Sequence, residues 1–125
     1  MTGIIKNITL IFIILIITLS LYKCSEPTQP RAAIVLVPEL TLPQNGQTGI
    51  SLIQLFKWKN NANKFQISVN GSFNTVQYNV NVSGTQHQIP PGVLIKNQWY
   101  YWRAGIVSGT TTIWADPFIF QTGNE

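Results

Sequence analysis

Few side chains in this 125-residue chain are able to do covalent or acid–base chemistry. There is one histidine, His87, one cysteine, Cys24, and four acids, Glu26, Glu39, Asp116 and Glu125. General acid–base catalysis works through positioned titrating groups whose pKa values are held apart. A Ser/His/Asp arrangement would have to draw on His87 and Asp116, and no nucleophile-elbow pattern supports it. A zinc site lacks ligands in the required number, and no glycine-rich phosphate loop is present. The sequence therefore predicts a non-enzymatic protein without a cofactor or metal. What remains is recognition chemistry, concentrated in QWYYWRAG, residues 98–105, where Trp99, Tyr100, Tyr101, Trp102 and Arg103 stand side by side. Aromatic rings stack on sugars, on cations and on one another, so this stretch is either a contact surface or the inside of a sheet.

Charge narrows the partners. The formal charge is +4, but Lys6 and Lys23 belong to an apolar N-terminal stretch. Without them six cations face four acids, a balance of +2, and they are scattered, which speaks against a nucleic-acid partner. A lone cysteine leaves no partner for a disulfide within this sequence, so a domain here must hold together by its core.

The run ITLIFIILIITLSL, residues 8–21, is uncharged and follows Lys6. A basic start, an apolar middle and a polar exit make a secretory leader or a membrane anchor, since a spanning helix needs roughly 20 apolar residues. LYKCSE, residues 21–26, resembles a bacterial lipoprotein signal, with Leu21 three residues before Cys24. The resemblance implies cleavage before Cys24 and acylation of its thiol. That family has a small residue where this chain has Lys23, and an uncleaved anchor or cleavage near Ser20 are the other two readings. All three place the rest of the chain outside the cytoplasm, on the bacterial cell envelope or secreted. The expected organisation is 1–23 as signal or anchor, 24–37 as lipid-attachment cysteine and tether, and 38–123 as a single domain. Within the tether, AAIVLV, residues 32–37, is β-prone and is expected to form a strand.

From Pro38 onward the apolar residues alternate with period two between turn signals, and no helical period occurs. PQNGQTG at 43–49, NGS at 70–72, SGT at 83–85 and PPG at 90–92 read as turns. Phe56 and Trp58 share one side of FKW. Phe65, Ile67 and Val69 are expected inward from FQISV. Val76, Tyr78, Val80 and Val82 share a face of the next run, and Phe118 and Phe120 share one in FIFQT. Period two then divides the opening stretch: Tyr100, Trp102 and Ala104 on one face, Trp99, Tyr101 and Arg103 on the other. Trp102 is expected to meet Trp58 from an opposite sheet, and Tyr100 to return its hydroxyl to backbone near Leu94. About seven short strands with these breaks predict an all-β, seven-stranded antiparallel immunoglobulin-like sandwich.

PELTLPQNG at 38–46, FKW at 56–58, FQISV at 65–69, L-x5-YYWR at 94–103, WAD at 114–116 and FQT at 120–122 occur in that order. Together they resemble the fibronectin type III-like domains of secreted and surface proteins of Bacteroidetes-type bacteria, over residues 38–122. The resemblance implies spacing, adhesion or partner binding rather than catalysis. Two functions follow as expectations: an envelope-anchored adhesion or binding module for a glycan or protein, or a structural spacer or subunit of a larger envelope complex. The candidate contact residues are Trp99, Tyr101, Arg103 and Trp114. For Arg103 the competing reading is a cross-strand ladder with Tyr101 and Trp114. His87 is expected half-buried on a strand, Lys57, Lys59 and Lys64 to form a solvated face or to protect an exposed sheet edge from aggregation, and Asn70 and Asn81 to begin N-x-S patterns that matter only in a glycosylating host.

Overall fold

The computed structural model describes Pro30 and residues 34–125. The leader, Cys24 and most of the tether lie outside the described residues. From Ile34 onward the chain forms one compact unit containing strands and turns. The strands are β1 (Glu39–Leu42), β2 (Gln47–Ile50), β3 (Leu55–Ser68), β4 (Val76–Gln88), β5 (Trp99–Ser108), β6 (Thr111–Trp114) and β7 (Phe118–Thr122).

The fold is all-β, and its hydrogen bonding runs as one curled sheet in the order β1-β3-β5-β7-β2, with β4 on β3 and β6 on β5. The curl comes from β3 and β4, which each change surroundings midway. Residues near Lys57 pair with β1 and with the end of β4, whereas Lys64 to Ser68 pair with β5 and the start of β4. Between the halves, Asn60 has a φ of 63° and the register shifts either side of Ala62. A β-bulge of this kind bends a strand and increases its twist.

The sheet is mixed, which corrects the all-antiparallel expectation. β2 runs parallel to β7, with Gln47 opposite Phe120 and Ile50 opposite Thr122. Residues 43–49 were expected to be a turn only. Pro43 has no N–H to continue a ladder, so the chain leaves β3 there and attaches to the other edge. The Gly46 amide donates to the Ile119 carbonyl at 2.7 Å, the Ile119 amide donates to Asn45 Oδ1 at 3.0 Å, and the Gly123 amide donates to the Ile50 carbonyl at 3.0 Å. The strand expected at 32–37 is a further correction: residues 34–37 carry no ladder. Val69 is a third. The register shifts between Ile67 and Ser68, leaving Val69 41% exposed beyond the strand while Ser68 is fully buried. Ser68 Oγ donates to the Thr75 carbonyl at 2.7 Å, which satisfies it there.

Trp102 and Trp58 are 0% and 3% exposed, with ring centroids 6.5 Å apart. They meet as expected, although their strands belong to one continuous sheet rather than to two. Phe56 packs edge-on against Trp102 at 5.0 Å, Phe65 at 5.2 Å and Phe120 at 5.4 Å. The Trp58 indole N–H reaches the Gly84 carbonyl at 3.0 Å, at the bend of β4. Tyr100 stacks on Phe120, and its hydroxyl accepts the Ile95 amide at 3.1 Å, the corner anticipated near Leu94. Thr122 completes that corner: its hydroxyl accepts from the Gln98 amide at 2.9 Å and donates to the Ile95 carbonyl. Because Trp102 touches most of this cluster, Trp102→Ala is expected to lower unfolding free energy by about 3–5 kcal/mol in denaturant titration.

Candidate functional site

The register that turns Trp102 inward turns its neighbours on β5 outward. Arg103 lies opposite Gln66, Tyr101 opposite Ile119 and Ser68, and Trp99 opposite Gln121. With Trp114 of β6, these three divide into two groups according to what covers them.

Arg103 and Trp114 are joined. The guanidinium carbon lies 4.1 Å from the Trp114 ring centroid and 4.0 Å from that of Phe73. Its Nε and Nη2 both donate to Gln66 Oε1, at 3.0 and 2.7 Å. Burial lowers the Arg103 pKa from its ordinary value, yet a guanidinium stays charged at any physiological pH. The cation thus has two π-faces and an amide acceptor. The expected ladder exists, with Phe73 in the place assigned to Tyr101.

Phe73 escapes a sequence reading because it sits in a turn among polar residues. Asn70 Oδ1 accepts the Asn74 amide at 3.2 Å and the Ser72 hydroxyl at 3.1 Å, and the Phe73 amide donates to the Asn70 carbonyl. This Asx-type loop holds Phe73 at a φ of 56° and folds its ring over Arg103. The one available clue is the Asn-Gly-Ser run ahead of a lone aromatic.

Trp114 lies at the end of β6, the short strand that pairs with β5. Gly105 is its register partner. A Cβ on Gly105 would stand 2.6 Å from Trp114 Cε3 and 3.0 Å from the Ile113 carbonyl oxygen. The indole lies flat across this glycine only because nothing is there.

Tyr101 and Trp99 form the other group. Tyr101 is half-buried, its ring edge over Gly71. Trp99 is 40% exposed. Its exposure has a topological cause: the β3 ladder on β5 ends at Tyr101, so Trp99 is flanked by β7 alone. A wide indole face beside a tyrosine, on a rigid strand, suits stacking against a flat apolar partner.

The acid–base candidates are not brought together. His87 is half-buried, its Nε2 2.9 Å from the Tyr78 hydroxyl and its ring stacked on that of Tyr78. Asp116 is exposed in the connection after β6. Lys59 pairs with Glu39 at 2.9 Å and Lys64 Nζ donates to Asn81 Oδ1 at 2.6 Å, both exposed. Among the described residues no three His, Cys, Asp or Glu side chains gather into a metal-binding group. No protein-family model, curated protein or solved structure matches this chain.

Gly105→Ala is expected to displace Trp114 from Arg103 and destabilise the domain by about 1–3 kcal/mol, seen as a shifted indole fluorescence spectrum and a lower denaturation midpoint. A second expectation concerns His87, whose pKa burial lowers below 6.5. The unfolded chain then binds a proton more readily, so the contribution is complete above that value and shrinks as pH falls through 6.5 towards the folded pKa. Thermal unfolding is expected to drop on acidification through this window, and His87→Phe is expected to remove that part of the dependence.

Proposed function

We propose that this chain is a non-enzymatic, envelope-anchored binding module that presents one fibronectin type III-like domain outside the cytoplasm. The β3 and β4 strands that each serve two layers, the Tyr100 corner and the enclosed Trp58–Trp102 pair favour the reading of the curled sheet as an immunoglobulin-like sandwich. The N-terminal apolar run and Cys24 supply attachment to the membrane through lipid or helix.

One observation carries the binding role. Trp99 presents a broad indole on the outer face of β5, where no second strand covers it. Tyr101 extends that face, while Arg103 and Trp114 engage each other further along the strand. The partner is a glycan ring or a flat protein side chain, both of which stack on indole with an apolar face. The competing role, a spacer or subunit of an envelope complex, draws support from the internal use of Arg103 and Trp114, whose cation and π-faces are already occupied.

Trp99→Ala separates the two. A binding module loses capture of its glycan on an array, or of its protein in a pulldown, by a factor of about ten or more, while the circular dichroism spectrum is unchanged. A spacer keeps its co-purifying partner in the same variant. The intact mass of the mature chain, read alongside, reports whether Cys24 is its acylated first residue.

A further inference from the structure

The longest uncovered feature of the domain is the outer edge of β4. Over its 13 residues, VQYNVNVSGTQHQ, it pairs with β3 on one side and with no other strand among the described residues. Exposed sheet edges present unpaired amides and carbonyls. Proteins usually defend such edges with lysine, proline, a short strand or an inward charge. Here the first seven residues, Val76–Val82, contain no charge, no proline and no glycine. All eight lysines and arginines of the chain lie elsewhere, and the one that reaches this segment, Lys64 of β3, does so at its far end, on Asn81 Oδ1.

The side chains are also incompletely covered. Val76, Tyr78, Val80 and Val82 form the inward row, and each is only half-buried; Tyr78, Val80 and Val82 pack against the core. Gln77, Asn79 and Asn81 form the outward row and are exposed. The edge therefore has an apolar stripe with one open flank and an amide stripe beside it.

We propose that two copies of this chain pair through Val76–Val82, antiparallel, about a two-fold axis at Asn79. The occupant is a second copy because the segment is complementary to itself. With Asn79 opposite Asn79, Val76 meets Val82 and Tyr78 meets Val80 on the inward face, while Gln77 meets Asn81 on the outward face. Antiparallel register keeps every side chain on its own face, so apolar meets apolar and amide meets amide on both sides of the axis. Such a contact is isologous and closes at a dimer. The pairing continues the β5-β3-β4 order into β4-β3-β5 of the partner and leaves Trp99 facing outward on both copies. It holds whether or not Trp99 binds a ligand.

Disulfide trapping at the axis tests it, on the full chain in detergent micelles and in a Cys24→Ser background so that only the introduced thiol reacts. Opposed residues of an antiparallel pair have Cα atoms roughly 4.5–5.5 Å apart, within disulfide reach. Under mild oxidation Asn79→Cys is expected to give a reducible dimer about ten times faster than Thr110→Cys, at the exposed β5–β6 turn, a contrast that collisions between micelles do not produce. In a separate sedimentation experiment, Asn79→Lys places two ammonium groups across the axis and weakens association about tenfold. Circular dichroism of both variants verifies that the domain is folded. Equal trapping rates at the two cysteines, or association untouched by Asn79→Lys, overturns the proposal.

Discussion

The fold depends on enclosing Trp102 among the rings of Phe56, Trp58, Phe65 and Phe118. With one cysteine in the chain, no internal cross-link assists, and conformational entropy must be opposed by apolar burial and hydrogen bonds alone. Large aromatics remove roughly 150–250 Å² each from water, more than any other side chain of comparable stiffness. The enclosure has a cost: the Trp102 indole N–H is buried without a partner among the described residues. An orphaned donor costs about 1–3 kcal/mol. That it persists shows how much of the stability rests on the indole's packing rather than its polarity.

The same burial fixes the surface. A one-residue slip of β5 would bring Arg103 into the core and Trp102 into water, so register is strongly specified. Hence the outward set Trp99, Tyr101, Arg103 follows from the inward set Tyr100, Trp102, Ala104. What each outward residue is free to do then depends on its neighbours. Arg103 is held by Phe73, Trp114 and Gln66, and a cation so surrounded has little capacity left for a ligand. Trp99, two same-face positions away and past the end of the β3 ladder, is 40% exposed. Two positions four residues apart on one strand thus take structural and surface roles according to where the neighbouring ladder ends.

The strand alternation, the inward aromatics and the Tyr100 corner were legible because each is a local pattern: period two for a pleat, and a fixed offset from Leu94 to Tyr100. Ser68 and Val69 broke the pattern because a bulge is set by two strands together. β2 was hidden inside what composition marks as a turn, since its stabilising partner, β7, lies some seventy residues further along. Gln66 and Phe73 were invisible as partners of Arg103 for the same reason. Gly105 reads as a weak point in a strand until the indole across it is seen.

The amino-acid order by itself determined that this domain is built of strands and which aromatic faces are buried. Side-chain direction follows from backbone period, which is written in consecutive residues. Only the tertiary structure decided that Arg103 is braced from two sides, that Trp99 is uncovered, that β2 runs parallel to β7, and that the uncharged flank of β4 stays open. Those outcomes depend on which strands become neighbours and where each ladder stops, and both are settled by packing between segments far apart in the chain.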